Sequence, residues 1–548
     1  MPAGGPEARA RVSGCGRYLG SMIIRFSFGL LLAGAMAAPV AGQSTRAERT
    51  GSRETSTLAD VRLFLDSLAA RTPFVRIASF GRTALGHQTP YVVASRPLVT
   101  DPADAHRSGR PIVYIQANIH GGEVEGKEAS LMLLRDLTVG SLQPLLDSLV
   151  LVVVPVYNAD GNEAFGPGDQ NRRGQQGPAV VGRRQNGQGL DLNRDLVKQE
   201  APETRHLLAL VDRWDPDLYL DLHTTNGSYH GYVLTYSAGN NANPSLANDY
   251  VRDRLLPEIR TRMRTRHGHE TYWYGNFLSQ HPDSLVRGWQ TFDPGARYAT
   301  NWFGLRGRMS ILSEAYSNAD FPTRIRATYD FVLEILRYTA AERTTIKAIN
   351  AATAIARPDS VVVSSRWADP VNEAVIAEIT HAAGEGAGPF ARRLRTGTFR
   401  TVRMPAYVRF AAAAKEPVRA GYILPPQHEH LVALLRRQGI LVERLLAPWS
   451  GPAEVFRVDS LSVAGGVFEG HRLIGVHGAW RPGHAEAAQG SYLVPTDQRL
   501  GLFAAYLLEP ASEDGFAVWN LLDRDLRRGA DLPIVRVAVL PGHREGLP

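Results

Sequence analysis

The segment PIVYIQANIHGGE, residues 111–123, decides the fold because it joins a buried strand to a helix through a short polar turn. Residues 111–118 form a nearly continuous apolar run, which predicts a strand covered on both faces. Residues 125–137 carry leucine and alanine at positions that suit the inner face of a helix. The turn between them contains His120 and Glu123, and a histidine and a glutamate three positions apart at such a turn can reach one point.

The His120-x-x-Glu123 pair is a candidate for metal binding. Neutral imidazole and carboxylate are ligands that zinc accepts, and the two intervening glycines allow a tight turn. A pair with this spacing also arises by chance about once in a chain of this length, so an incidental pair is the alternative.

Further apolar runs follow the same pattern along the chain. They predict strands over 149–156, 217–222, 231–236 and 308–315, and a helix over about 323–340. Runs of this kind are typical of a sheet whose faces are both covered. We therefore predict an α/β fold, a mostly parallel mixed sheet with helices on both faces, over residues 58–343.

The character of the sequence changes after residue 343. We predict a linker over 344–358 and a smaller, strand-rich α+β domain of unknown role over 359–548. Within it, residues 419–445 suggest strand–helix–strand, and short apolar runs such as 502–508 follow. Residues 43–57 are polar and without periodicity, which predicts a flexible leader.

A third candidate ligand, His223, follows the apolar run that ends in Leu220-Asp-Leu222. Open α/β sheets bind ligands at the carboxyl ends of their strands. A lone histidine there is more often a satisfied core residue, but His223 supplies the third ligand that His120 and Glu123 lack. Catalytic zinc sites keep three protein ligands and leave the fourth position to water.

Two other motifs have polar residues that suit catalysis. Asn193 and Arg194 follow Gly189-Leu-Asp191-Leu; they form either a polar turn or a pair that binds a carboxylate, since arginine offers a planar fork. Glu314 lies in an apolar strand-like segment, where a carboxylate is costly unless it is paired or useful. Burial would raise its pKa and suit it to proton transfer, and an ion pair with Arg306 or Arg308 is the alternative.

In this order, His120-x-x-Glu123, Asp191-x-Asn193-Arg194, His223 and Glu314 resemble the carboxypeptidase A-like zinc carboxypeptidase family. Residues 80–86 also resemble an early segment of that family, and the resemblance covers about residues 58–343.

The resemblance implies a role for each matching residue. It implies that one zinc ion is held by His120, Glu123 and His223, and that Glu314 is the general base. It implies that Asn193 and Arg194 bind the C-terminal carboxylate of the substrate, and that Asp191 orients a zinc histidine. For the arginine that stabilises the oxyanion, Arg184 is the matching position, with Arg183 and Arg173 as rivals.

Some features depart from the family. Its active-site tyrosine has no clear counterpart here, and Tyr298 and Tyr316 are candidates. The segment Asp221-Leu-His-Thr-Thr-Asn226 is also similar to relatives that cleave acyl groups from amino acids. The C-terminal part does not match the small sandwich domain of regulatory carboxypeptidases.

The N-terminus predicts export. Arg25 precedes an apolar run over 26–40, and the small residues around 40–42 suit a signal peptidase that cuts before Gln43. The run is short for a membrane span, and an uncleaved anchor is the alternative. The single cysteine, Cys15, lies in the segment expected to be lost, so any metal must use histidine and carboxylate.

Composition excludes some classes of function. The hydrophobic content of 44% and charged content of 21% are those of a globular protein. The net charge of +7 is partly contributed by the first 42 residues and gives no case for nucleic acid. We expect an exported, periplasmic or secreted metallocarboxypeptidase that acts on peptides, with no membrane span in the mature chain. The alternatives are an N-acyl amino acid deacylase or cell-wall peptide amidase on this fold, and a non-catalytic binding protein.

Overall fold

Eight strands form the central sheet of a computed structural model that describes residues 43–382 and 393–547. In chain order they are β1 Val75–Arg82, β2 Gln88–Ala94, β3 Ile112–Ala117, β4 Val150–Val154, β5 Leu218–Thr224, β6 Leu234–Ala238, β7 Thr271–Trp273 and β8 Met309–Ala315. Their spatial order is β1-β2-β4-β3-β5-β8-β6-β7. The four middle strands run parallel, whereas β1, β2 and β6 introduce antiparallel pairs. The predicted α/β class with a mostly parallel mixed sheet is confirmed.

Helices cover both faces of this sheet. They are α1 Arg46–Arg49, α2 Leu58–Ala69, α3 Pro102–Arg107, α4 Glu125–Thr138, α5 Ala159–Glu163, α6 Gly168–Asn171, α7 Pro202–Trp214, α8 Leu246–Tyr250, α9 Leu256–His267, α10 Ala299–Leu305, α11 Phe321–Ala341 and α12 Arg343–Ile355. On β3, Val113 belongs to the same core as Leu131 of α4, whereas Tyr114 belongs to the opposite core with Trp214 of α7 and Phe303 of α10. Successive strand residues point to opposite faces, so both faces are buried.

The chain after α12 is rich in strands. They are β9 Ser360–Trp367, β10 Val371–Ala382, β11 Arg393–Tyr407, β12 Phe410–Pro417, β13 Gly421–Leu424, β14 Glu443–Leu445, β15 Trp449–Val463, β16 Ile474–Ala487, β17 Tyr492–Pro495, β18 Asp531–Val537 and β19 Arg544–Gly546, with helices α13 Glu429–Arg437 and α14 Gly501–Leu508. Seven of the strands form one sheet in the order β16-β15-β18-β13-β17-β14-β19.

The strand-rich part and the eight-stranded sheet share a hydrophobic core. Leu431, Phe503 and Trp519 belong to the same buried cluster as Trp214 and Phe303. The two parts therefore pack together, and the division into domains at residues 343 and 359 stays a prediction. The predicted linker, 344–358, contains most of helix α12.

Two local predictions were wrong. Residues 43–57 are not a flexible leader, because Glu128 of α4 accepts hydrogen bonds from the Thr55 hydroxyl at 2.8 Å and from the Ser56 amide at 2.6 Å. Residues 502–508, placed among the strand-forming runs, lie in helix α14. This segment is apolar throughout and almost fully buried, and a short apolar run does not distinguish a buried helix from a strand.

The N-terminal segment, 1–42, with the predicted signal sequence and Cys15, lies outside the described residues. Within the described ranges, no helix has both the length and the hydropathy needed to cross a bilayer.

Candidate metal centre and active site

The first two candidate ligands lie in the turn between β3 and α4. Asn118 follows the strand with a φ of +63°, and its side-chain amide donates to the carbonyls of His120, Gly121 and Glu123 at 2.9–3.2 Å. Gly121 is required here because a Cβ atom would lie 2.2 Å from the carbonyl carbon of Gly161. The turn is thereby held in a single shape, with the imidazole and the carboxylate on one side.

The third candidate ligand, His223, lies at the carboxyl end of β5, next to β3 in the sheet. Nδ1 of His120 is 2.9 Å from one oxygen of Glu123, and Nδ1 of His223 is 2.9 Å from the other. Ligand atoms of the three side chains all lie within 4.8 Å of one another, and all three residues are buried. Two imidazoles and one carboxylate are a donor set of catalytic zinc sites, so the residues present fit this metal.

Each histidine contacts a second carboxylate through its other ring nitrogen. Nε2 of His120 lies 3.1 Å from Asp191, and Nε2 of His223 lies 3.0 Å from Asp221. A carboxylate that is hydrogen-bonded to Nε2, as Asp191 is to His120, fixes the tautomer and leaves Nδ1 for a metal. Burial disfavours the charged form of His223, but Asp221 and Glu123 raise its pKa well above the ordinary value.

Glu314 lies on β8, where it pairs in register with His223 of the adjacent parallel strand. Its side chain is buried, and its Oε2 atom has no hydrogen-bond partner among the described residues. Burial raises the pKa of this carboxyl to about 8, a shift that the charge of His223 opposes. The alternative ion pairs do not form, since Arg306 donates to the Gln438 carbonyl and Arg308 pairs with Asp215.

Asn193 and Arg194 belong to a short 3₁₀ turn, Leu192–Arg194, that Asp191 caps by accepting from the Asn193 amide at 2.9 Å. The Asn193 side-chain oxygen accepts from the Ala299 amide at 2.8 Å. The Arg194 guanidinium lies 4.1 Å from the ring centroid of Tyr298, a cation–π contact that restrains its position.

The candidate arginines differ in their positions. Arg184 donates to Asp191 from Nε at 2.9 Å, and its Nη1 lies 3.3 Å from Nδ1 of His120. Its rival Arg183 donates instead to the Asn186 carbonyl, and Arg173 is exposed.

The two candidate tyrosines also differ in their positions. Tyr298 lines the cavity beside the candidate metal ligands, whereas the Tyr316 ring lies against His230, tilted, with ring centroids 4.2 Å apart. A third tyrosine, Tyr274, lines the same cavity and was not predicted. The two residues before it, Tyr272 and Trp273, are also aromatic, and no motif distinguishes it.

The candidate metal ligands, Glu314 and the Asn193–Arg194 pair surround one cavity of about 160 Å³. Its lining residues are His120, Glu123, Arg184, Asn193, Arg194, His223, Thr224, Asn226, Tyr274, Phe292, Tyr298, Thr300, Leu312 and Glu314. A cavity that combines a metal-ligand set, an unpaired buried carboxyl and two arginines suits the hydrolysis of a bond near an anionic group.

The chain is similar to several known proteins. Residues 61–310 match the family model described as zinc carboxypeptidase. Carboxypeptidase 2 of Trichophyton tonsurans is 24% identical over 476 residues, which cover 82% of this chain and 81% of that protein. Carboxypeptidase D of Homo sapiens is 32% identical over 121 residues, 19% of this chain and 9% of that protein. The solved carboxypeptidase A from Helicoverpa armigera is 17% identical, covers 53% of this chain and 74% of that one, and has a TM-score of 0.40.

The fold and the site define a metal-dependent hydrolase. With the match of residues 61–310 to the zinc carboxypeptidase family model and the similarity to curated carboxypeptidases, the protein is a zinc metallopeptidase of the carboxypeptidase type.

Proposed function

We propose that this metallocarboxypeptidase removes single residues from the C-terminus of peptides with one zinc ion held by His120, Glu123 and His223. The observation that supports this most is the position of Arg194. It lies in the same cavity as the metal ligands and Glu314, where a bidentate contact with a substrate carboxylate would fix the last peptide bond beside the metal.

The residues that line the cavity have different roles in the proposed reaction. When bound, zinc polarises the scissile carbonyl and makes water more acidic. Glu314 takes the proton of the attacking water at Oε2 and returns it to the leaving nitrogen, and a pKa near 8 suits both transfers near neutral pH. Arg184 donates to the oxyanion, because it lies beside His120 and is held there by Asp191.

Asp191 and Asp221 orient the two metal histidines. Asn193 supports recognition of the carboxylate, since it shares the 3₁₀ turn with Arg194 and is fixed by the Ala299 amide.

Digestion of a mixed peptide library tests the proposed function. Mass spectrometry should show products that lack one C-terminal residue, and a chelator should stop their formation. Internal cleavage would point to an endopeptidase. Release of acyl groups from N-acyl amino acids, or cleavage of cell-wall stem peptides without loss from free peptides, would favour the deacylase or amidase alternative. Absence of any turnover by zinc-loaded protein would favour a binding protein.

We also propose that the enzyme is exported, to the periplasm or the medium, with a mature chain that begins near Gln43. The support is the short apolar run over 26–40 followed by small residues. N-terminal sequencing of protein from the native host tests this, and an intact segment 26–40 would show an anchor instead.

A further inference from the structure

The hairpin formed by β15 and β16 ends in a loop, residues 464–473, that reaches the active-site region. At its tip, Phe468 and His471 exchange backbone hydrogen bonds at 2.8 and 2.9 Å. The two residues between them, Glu469 and Gly470, have φ values of +49° and +83°. This is the two-residue hairpin turn that favours asparagine and glycine, so a glutamate at its first position is unfavourable for the backbone.

A contact of the Glu469 side chain explains why a glutamate occupies this position. Its Oε2 atom accepts a hydrogen bond from the backbone amide of Asp191 at 3.0 Å, across 278 positions of sequence. A residue held in an unfavourable conformation, with its side chain on a functional segment, indicates a role for that side chain.

The side chain of Asp191 contacts three parts of the proposed active site. Its Oδ1 lies 3.1 Å from His120 Nε2 and accepts from the Asn193 amide, and its Oδ2 accepts from Arg184. The Glu469 carboxylate therefore fixes the backbone of Asp191. The side chain of Asp191 in turn positions His120, Arg184 and the turn that contains Asn193 and Arg194.

A second contact attaches the same tip farther along this segment. Nε2 of His471 lies 2.9 Å from Glu200, and Glu200 is bonded in turn to Lys198 at 2.6 Å. Nδ1 of His471 lies 3.0 Å from Asn520, which fixes the ring from the other side. The tip thus contacts both ends of residues 191–200, the segment that contains Asn193 and Arg194.

We propose that Glu469 is a positioning residue for carboxylate recognition, and that the hairpin tip of the strand-rich part supports the Asn193–Arg194 turn. The proposal rests on the proposed function, since it assigns the support of the same carboxylate-binding pair. It gives the strand-rich part a role in catalysis beyond stability.

Two replacements remove the acceptor while they favour the turn. Asparagine and glycine both suit a positive φ, but neither places an oxygen at the Asp191 amide, so Glu469→Asn and Glu469→Gly should fold. Glu469→Gln is the matched control, because its amide oxygen keeps both the length and the acceptor. The assay compares one peptide with a free or an amidated C-terminus, with rates normalised to zinc content.

We expect Glu469→Asn and Glu469→Gly to raise KM for the free peptide by roughly two- to tenfold, the scale of one hydrogen bond, with a smaller change in kcat. The amidated peptide should be less affected, so the selectivity for a free carboxylate should fall, and Glu469→Gln should restore most of it. Variants that fold, retain zinc and keep the wild-type KM and selectivity would overturn the proposal for Glu469 alone. A wild-type enzyme with no selectivity for the free carboxylate would overturn the proposed function as well.

Discussion

Nη1 of Arg172 lies 2.9 Å from Oε1 of Glu123, so a guanidinium contacts the carboxylate of the proposed metal site. Its Nη2 atom donates to the carbonyls of Thr224 and Thr225 at 3.0 and 3.2 Å, immediately after His223. Arg172 therefore connects the two chain segments that contain the proposed metal ligands. Burial opposes ionisation of Glu123, but His120 and Arg172 hold its pKa well below the ordinary value.

Replacement of Arg172 should weaken metal binding. In Arg172→Met an unbranched apolar side chain replaces the stem of arginine but no longer fixes Glu123, and loss of such a partner typically lowers metal affinity by about 10- to 100-fold. Competition against a chromophoric chelator measures this. Arg173→Met, at the exposed neighbouring arginine, is the control and should bind zinc as the wild type does. Unchanged or tighter binding by Arg172→Met would contradict the assigned role.

Replacement of Glu314 should separate chemistry from folding. Glu314→Gln keeps the shape of a buried side chain and removes no metal ligand, so melting temperature and zinc content should change little. Turnover should fall by about a hundredfold or more, the scale of general acid–base catalysis. Measurement of kcat, zinc content and melting temperature on one preparation decides between this role and a structural one. A variant that melts earlier yet keeps its turnover per folded molecule would show that Glu314 is structural.

The cavity predicts which C-terminal residues are accepted. Beside the metal ligands and Glu314, its wall is formed by uncharged groups, including Leu312 and Phe292, and by Arg184 and Arg194. A basic substrate side chain would meet two arginines and no further carboxylate among the described lining residues. We expect kcat/KM for a C-terminal methionine to exceed that for the similarly long lysine by about tenfold or more, since burying an unpaired charge is costly. A preference for lysine or arginine would show that another acidic group lines the subsite.

Residues 43–57 should contribute to stability and not to catalysis. Glu128 is fully buried and accepts three hydrogen bonds from Thr55 and Ser56. Glu128→Leu leaves those donors without a partner, which should lower the free energy of unfolding by about 1–3 kcal/mol or more. Urea denaturation measures the change, and kcat of the folded variant should match the wild type. Stability equal to that of the wild type would indicate that residues 55–56 are solvated without this contact.

Local patterns predicted the two strands at whose carboxyl ends the proposed metal ligands lie. Residues 111–118 and 217–222 are apolar runs with polar side chains at their ends, and strands β3 and β5 occupy these positions. The contact of Asp221 with His223 could also have been predicted from the sequence, because Asp221 lies two positions before His223 and so on the same face of β5.

Other parts of the site depend on topology that no local pattern reveals. Arg172 comes from a loop 49 positions after Glu123, and Glu469 reaches Asp191 across 278 positions. Both contacts depend on how distant segments pack. Glu469 gave a weak signal, since a Glu-Gly pair is an unusual hairpin turn, but its partner was not predictable from it.

The most direct test of the central claim compares hydrolysis of one good peptide substrate with a free and with an amidated C-terminus. If Asn193 and Arg194 bind the terminal carboxylate, the free peptide should lose a single residue. Amidation should lower kcat/KM by tens to about a thousandfold, the equivalent of roughly 2–4 kcal/mol for a charge-assisted contact. Arg194→Ala should bring the two rates together by slowing the free peptide. Equal rates for the two peptides with the wild-type enzyme would contradict the assignment of this cavity to C-terminal hydrolysis.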